Sequence, residues 1–334
     1  MKTIIASLIL LFLSAVLTNA YGDTQKTIEL KLYPAVAADP NKYPLLPKYE
    51  EQNDLDAAPL YKKAIQALPV DSKNNQISQW LKSPLNELPL EQAKSFVEGF
   101  KPALQLVQQA AKCRKCIWPA EQDAKDLQNY RRIAQTLALQ ARLEIAQGQY
   151  DNAVSKIRTD FAMGRHLSKS SSTIQGLVGI AAAAHMCEQI EQFIEAPDAP
   201  NLYRSLQSLP RPLIDLTKQI ESEPNELARE KIRQLMNRLD RHIAVLQCVE
   251  ALRYYAAVND GKLPGSLEDI KKSIKQVSIP NDPVTQKSFD YSCSGSEAIL
   301  KGPAPVGAES DKAIYYRLVL SQRPSKNNQQ GQTR

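Results

Sequence analysis

Apolar residues recur at helical spacing over much of the chain. Over residues 126–147 they form one stripe, made of Leu127, Tyr130, Ala134, Leu137, Ala141 and Ile145. Residues 56–68 follow the same i, i+3, i+4 rule, which predicts a second amphipathic helix. Residues 173–196 are apolar on all sides in their middle, which predicts the most buried helix of the body. The pattern favours a mainly α-helical body of stacked antiparallel hairpins.

The last third of the chain combines a long helix with short strands. Residues 224–259 predict a helix whose charged first half, including Asp240 and Arg241, is expected to face solvent. Its second half is apolar on a broad face and is expected to pack. Short runs bounded by turn residues predict three strands, at residues 289–293, 298–301 and 314–320. We therefore expect a small α+β module.

The same pattern sets the expected organisation of the chain. An extended lead-in with one short strand at residues 28–32 is followed by a helical body, in which Pro102 should break or kink a helix over residues 90–112. The last residues are polar and aperiodic, so we expect them to be disordered. The predicted parts are a signal peptide (1–20), the lead-in (21–53), the helical-hairpin body (54–222), the long helix with its module (223–322) and the tail (323–334).

The first residues have the three zones of a secretory signal peptide. Lys2 precedes an apolar run of about 13 residues, and small residues follow it around Ala20. That run is shorter than the roughly 20 residues that a membrane-spanning helix needs. We expect the segment to be removed, which leaves an exported chain with no transmembrane segment, in the periplasm or outside the cell.

One turn carries a recognisable hairpin motif. Gly148, Tyr150 and Ala153 lie in the spacing G-x-Y-x-x-A, where a small residue lets two helices approach and an aromatic fills the cleft between them. The segment resembles a tetratricopeptide (TPR) hairpin over residues 127–167. No 34-residue repeat accompanies it, so the resemblance implies a TPR-like body and not a TPR array.

The C-terminal region resembles the periplasmic domain of type II secretion pseudopilins. The resemblance lies in residues 251–264, 267–270 and 280–291, and it spans residues 243–320. It implies a long helix packed on a small antiparallel sheet. The chain lacks the pilin assembly signal, so polymerisation is not expected. Glu309 and Asp311 alone offer too few oxygens for the calcium site of that family. The whole combination resembles a type of exported bacterial protein, a resemblance that brings no activity with it.

Composition excludes several functions. The chain has 42 Lys and Arg against 36 Asp and Glu, and its basic clusters lack interleaved aromatic residues. A nucleic-acid partner is therefore not expected. Three histidines, with no H-E-x-x-H, G-x-S-x-G or P-loop motif, leave metalloproteases, α/β-hydrolases and P-loop NTPases without their minimum parts. His166 follows Arg165 near a predicted helix end, where a cation would satisfy terminal carbonyls.

Five cysteines offer the remaining candidate chemistry. Cys113 and Cys116 have C-x-x-C spacing beside cations, yet they follow a helix, whereas redox motifs begin one. A structural disulfide or neighbouring thiols are the main interpretation, with redox chemistry as an alternative. A zinc site completed by His185 and Cys187 is another. The pseudopilin resemblance also implies a Cys248–Cys293 disulfide, with two buried free thiols as the alternative. Cys187 alone fits a small core residue.

These observations point to an exported, non-enzymatic interaction or scaffold protein of the cell envelope. We expect a protein partner, with the helices of residues 127–195 presenting the surface, and no cofactor or metal. One alternative is an accessory component of a secretion or pseudopilus-like apparatus. The other is a thiol- or zinc-dependent envelope enzyme that uses Cys113 and Cys116.

Overall fold

The computed structural model describes residues 27–70, 75–119, 123–304 and 313–323. Over these ranges the chain is mainly helical with a small four-stranded sheet, which confirms the predicted fold class. No helix of these ranges has the length and apolar character that crossing a membrane requires. The predicted signal peptide and residues 324–334 of the predicted tail lie outside the described residues.

The α-helices are α1 (Ala58–Gln66), α2 (Asn75–Lys82), α3 (Leu90–Ala111), α4 (Ala124–Ala146), α5 (Tyr150–Leu167), α6 (Thr173–Ile194), α7 (Tyr203–Gln207), α8 (Thr217–Ser222), α9 (Glu226–Val258) and α10 (Leu267–Ser273).

Helix α3 continues through Pro102, so the predicted break at this proline is wrong, while the alternative of a kink stays a prediction. A proline inside a helix removes one backbone hydrogen bond and costs about 3 kcal/mol. The residues that follow it, Ala103 and Leu104, are buried in the core. Burial of this apolar face on both sides of the proline offsets the cost and keeps the helix whole.

Glycine forms the turn between α4 and α5. Gly148 has a φ of +69°, and its N–H donates to Ile145 O at 3.0 Å while Gln149 N donates to Glu144 O at 2.8 Å. These two bonds close the end of α4 as a Schellman motif. Tyr150 then packs edge-on against Phe193 with ring centroids 5.3 Å apart, and Ala153 is fully buried. The three residues of the predicted hairpin motif therefore occupy a tight helix–helix turn.

Helices α5 and α6 approach each other through glycine. A Cβ atom on Gly179 would lie 2.6 Å from Gly164 O, and one on Gly164 would lie 2.9 Å from Gly179 O. Contacts of this length are closer than a side chain allows, so the backbones touch directly. Helix α6 is buried on almost every side, as its all-round apolar sequence predicts. The surface that we expected residues 127–195 to present is therefore mostly core.

Helix α9 is half exposed and half core. Leu227 near its start is 56 % exposed, whereas every residue from 239 to 253 is buried. Asp240 and Arg241 lie in the buried part, so their predicted position facing solvent is wrong. Arg241 donates to Asp282 and Pro303 O, and Asp240 accepts from Leu213 N at 3.0 Å. Partners from other segments make their burial possible, and the helix sequence alone does not reveal those partners.

The sheet joins the two ends of the described chain. Its order is β1–β6–β5–β4, with strands β1 (Thr27–Leu32), β4 (Asp290–Ser294), β5 (Glu297–Gly302) and β6 (Ile314–Leu320). The pairs β4–β5 and β5–β6 are antiparallel as predicted, but β1 adds in parallel to β6, with Leu30 opposite Leu318. The sheet is mixed and not purely antiparallel, because the lead-in strand forms its fourth strand.

A buried polar network fixes the lead-in to α9. The Arg253 guanidinium, fully buried, donates to Glu250, to Tyr33 O at 2.9 Å and to Ala199 O at 3.1 Å. Asn201 donates from its amide to Ala35 O and to Glu250 O. Because these donors and acceptors are paired, the network holds three distant segments together without leaving its charges unpaired.

Candidate functional site

A separate parallel ribbon crosses the end of the helical body. It consists of β2 (Asn53–Asp56) and β3 (Cys113–Lys115), called the ribbon below. Asn53 N donates to Lys112 O and Ala57 N donates to Lys115 O, both at 2.9 Å. Asp56 Oδ1 accepts from Ile117 N at 2.9 Å, which ties the chain after β3 back to β2.

The two edges of the ribbon differ. Along β3, Cys113 O accepts from the His166 ring at 3.0 Å and Arg114 O accepts from Lys169 Nζ at 3.1 Å. The end of α5 therefore covers that edge. Strand β2 has no second strand beside it in the described part of the chain, and Asn53, Asp54 and Leu55 are exposed. The outer edge of β2 is thus open to solvent.

An aromatic cluster supports the ribbon from inside. Tyr61 stacks on Trp118 with ring centroids 5.7 Å apart, and Tyr130 meets both rings edge-on. Trp118 Nε1 donates to His166 O at 2.6 Å. Helices α1, α4 and α5 contribute these side chains together with the segment after β3. The ribbon therefore rests on a rigid and well-packed base.

His166 is a structural member of this cluster. Its Nε2 is 3.0 Å from Cys113 O, which can only accept, so Nε2 carries the ring proton. Nδ1 then accepts from the Tyr61 hydroxyl at 2.9 Å. Burial, together with the positive charge of Lys169, lowers the pKa of His166 to about 4. The histidine is neutral at physiological pH, so the cationic role near a helix end that we predicted is wrong.

The two thiols of the C-x-x-C motif are buried and protonated. Cys113 lies in β3 and Cys116 follows it, and neither is more than 7 % exposed. Burial raises the pKa of both thiols, that of Cys116 by a wide margin, and the nearby Asp56 carboxylate raises them further. A thiol is a nucleophile only as its thiolate. These groups are therefore poorly suited to attack a substrate.

The structure does not bring the zinc candidates together. His185 is 3.5 Å from Glu188 on α6, where Cys187 points into the core, whereas Cys113 and Cys116 belong to the ribbon region. No group of three or more His, Cys, Asp or Glu residues within the described ranges could hold a metal ion.

All five cysteines are free thiols in the structure. Cys248 is fully buried on α9, and burial raises the pKa of its thiol. Cys293 on β4 donates its S–H to Pro264 O at 3.0 Å. The Cys113–Cys116 and Cys248–Cys293 disulfides stay predictions.

A carboxyl group lies buried near the cluster without a partner. Asp160 on α5 is fully buried, and neither of its side-chain oxygens has a hydrogen-bond partner among the described residues. Burial raises the pKa of this carboxyl far above its usual range, and burial likewise raises the pKa of the Tyr61 hydroxyl. Sequence reasoning missed Asp160, because an aspartate at a helical position has the same local pattern whether it is exposed or buried.

Three exposed apolar side chains lie in or next to the ribbon in the sequence. Tyr49, Leu55 and Ile117 are 71 %, 65 % and 68 % exposed, and they are three of the eight large apolar side chains exposed in the described ranges. Arg114 packs over the Tyr49 ring at 4.3 Å and donates to its hydroxyl at 3.0 Å. We call these three side chains and the β2 edge the ribbon face. Exposed apolar side chains beside an unpaired strand edge are typical of a docking surface.

Comparison with protein-family models, with curated proteins and with solved structures found no match to this chain. The resemblances to TPR hairpins and to pseudopilins therefore stay predictions.

Sequence reasoning also missed the ribbon face. Leu55 stands between Asp54 and Asp56, whereas Ile117 follows Cys116 in a distant part of the chain. Neither shows the periodicity that marks a surface-binding helix. The signal closest to it was the basic cluster around Cys113, which we had used only to argue against a nucleic-acid partner.

Proposed function

We propose that this protein is an exported, non-enzymatic interaction or scaffold protein of the cell envelope that binds a partner protein through the ribbon face. One observation carries the proposal, namely that β2 pairs on one side only within the described ranges while Tyr49, Leu55 and Ile117 in and beside the ribbon are exposed. An extended segment of a partner can add to such an edge through main-chain hydrogen bonds. Exposed apolar side chains beside it would then be covered, which favours the bound state.

The state of the buried thiols and of His166 favours binding over catalysis. Cys113, Cys116 and His166 are the polar groups nearest the ribbon that could act on a substrate. The thiols are protonated and buried, and both ring nitrogens of His166 are engaged in hydrogen bonds. A catalytic thiol requires a lowered pKa and access to substrate. These residues instead hold the ribbon in place.

Export is part of the proposal and rests on the N-terminal sequence. An envelope location brings the chain to other exported proteins, and a rigid helical body can present the ribbon face to them. A rigid surface loses little conformational entropy when it binds, which favours affinity.

Capture from native envelope extract tests the proposal. After mild crosslinking, the wild-type chain should recover a reproducible protein partner. A variant with Leu55→Asp and Ile117→Asp should lose at least about tenfold in recovery, because two charges replace apolar contacts at the interface. The matched control is Leu227→Asp on α9, where the side chain is 56 % exposed and distant in sequence.

Equal recovery of the same partner by the ribbon variant and the wild type would overturn the proposal. Circular dichroism of both variants shows whether the fold is intact, and the exposed positions should leave it unchanged.

A further inference from the structure

We propose that the outer edge of β1 is a latent interface between two copies of this chain, and that the Glu195 side chain keeps this edge closed. Strand β1 lies at one end of the sheet, with β6 on one side and no strand on the other within the described ranges. An unpaired edge offers a row of backbone N–H and C=O groups to any strand that approaches it. This edge is distinct from the ribbon face, so its role goes beyond the proposed function.

The backbone groups of β1 point alternately towards β6 and away from it. Leu32 O accepts from Ser321 N at 2.8 Å, so the backbone groups of Leu32 face β6. Lys31 N instead donates to Glu195 Oε1 at 3.1 Å and therefore points to the outer edge. Because these directions alternate along a strand, the N–H and C=O groups of Glu29 point the same way as those of Lys31. Every second residue of β1, including Glu29 and Lys31, thus forms the outer edge.

Glu195 occupies a backbone donor that a second strand would need. It is the first residue after α6, and its N–H donates to Glu191 O at 3.1 Å, which fixes its backbone at the helix end. One carboxylate oxygen accepts from Lys31 N, and the other accepts from Gln192 Nε2 at 3.3 Å. Burial raises the pKa of this carboxyl, whereas the hydrogen bond from Lys31 lowers it, so the bond favours the charged form. A partly buried charged side chain therefore covers this part of the edge, which is a known way to prevent strand pairing.

The charges of β1 are complementary to those of a second copy. Glu29 and Lys31 are exposed, whereas Leu30 between them is buried. When two copies pair antiparallel about Leu30, Glu29 of each copy lies opposite Lys31 of the other, because a two-fold axis repeats every contact. Glu29 also contacts Arg317 at 3.2 Å, yet its side chain stays 63 % exposed and accessible.

The same register satisfies the backbone. Glu29 and Lys31 are the residues whose N–H and C=O groups face outward, so antiparallel pairing about Leu30 makes them the hydrogen-bonded pairs. Cross-strand pairs of opposite charge stabilise an antiparallel sheet, whereas like charges directly opposite each other destabilise it. Backbone direction and side-chain charge therefore favour one arrangement, in which a second copy of β1 takes the place of the Glu195 carboxylate.

Sedimentation velocity of the full chain tests this interface. Glu195→Ala removes the acceptor, so self-association should be at least about tenfold stronger than in the wild type. Glu195→Met should have the same effect, because methionine has a similar length and only a weak acceptor, and it serves if the alanine variant does not fold. Glu195→Gln should behave like the wild type, because its amide oxygen can accept the same hydrogen bond. The matched control is Glu188→Ala, which removes a carboxylate of α6 that lies 3.5 Å from His185, and it should leave self-association unchanged.

Further changes combined with Glu195→Ala locate the contact. Lys31→Pro removes an outward N–H that does not bond to β6, so self-association should return to the wild-type level. Glu29→Lys places like charges opposite each other and should weaken self-association. Glu29→Lys together with Lys31→Glu reverses both charges and should restore it.

Unchanged self-association in both Glu195→Ala and Glu195→Met, with a fold intact by circular dichroism, would overturn the proposal. Stronger self-association in Glu195→Gln would also overturn it, since the hydrogen bond to Lys31 would then not be what closes the edge. Association that persists with Lys31→Pro, or that the charge reversal does not restore, would place the contact elsewhere on the molecule and refute pairing through β1.

Discussion

Asp160 gives the sharpest test of the packing described above. Replacing it with asparagine keeps the shape of the side chain and removes its ability to ionise. The carboxyl is fully buried on α5 and has no hydrogen-bond partner among the described residues. Burial raises its pKa in the folded protein far above the value of 3.8 expected in the unfolded chain. Folding therefore favours the protonated form of this group over a range of pH above 3.8.

The sign and size of the effect follow from that shift. Such a group stabilises the folded protein fully at pH values below its pKa in the unfolded chain. This stabilisation is lost as the pH rises towards the raised pKa that the group has in the folded protein. Over that window the free energy of unfolding falls by about 1.4 kcal/mol for each pH unit. Asp160→Asn removes this dependence. The variant should therefore be more stable than wild type at neutral pH, by a margin that widens as pH rises.

Urea unfolding followed by tryptophan fluorescence measures the margin at a series of pH values from about pH 4 upward. Asp151→Asn is the matched control, because Asp151 is exposed near the start of the same helix. The control should show no margin. A margin for Asp160→Asn that stays constant with pH, or a variant less stable than wild type at neutral pH, would refute the reasoning.

Three further changes test other parts of the structure. Gly179→Ala should lower the free energy of unfolding by about 1–3 kcal/mol, because the added Cβ would lie 2.6 Å from a backbone oxygen. Gly99 has open space around it, so Gly99→Ala should not destabilise the protein, and urea unfolding compares the two variants. Arg253→Met should lower the free energy of unfolding by about 3–5 kcal/mol, because it leaves the buried Glu250 carboxylate without its charged partner. The exposed Lys101→Met should lower it by under about 1 kcal/mol, and thermal unfolding measures both variants. Cys116 in the reduced, folded chain should resist iodoacetamide at mildly alkaline pH and react after unfolding in urea, as measured by mass spectrometry, because burial raises its pKa.

Each of these has a clear contrary result. Equal stability of the two glycine variants would mean that α5 and α6 can separate without cost. An equal loss of stability in Arg253→Met and Lys101→Met would mean that the network around Arg253 does not hold the lead-in. Rapid alkylation of Cys116 in the folded chain would favour the alternative function, a thiol-dependent enzyme.

The sequence determined the elements whose causes are local. The stripe over residues 126–147 predicted α4, and α4 ends at the turn that Gly148 makes with a φ of +69°. The apolar middle of α6 predicted its burial, and the three C-terminal strands occur where short, turn-bounded runs placed them. Periodicity and turn residues act over a few positions, so a single sequence contains them in full.

Only the tertiary structure decided which distant segments meet. The pairing of β1 with β6 joins residues such as Leu30 and Leu318, and no local pattern encodes a partner so far along the chain. The burial of Asp240, Asp160 and Arg253 depends on neighbours from other elements, whereas their own helices give them the spacing of ordinary surface charges. The ribbon arises in the same way, because β2 and β3 are far apart in the chain and pair only in the folded protein. Local periodicity therefore determined the helices, and long-range packing determined which charges are buried and which apolar side chains stay exposed.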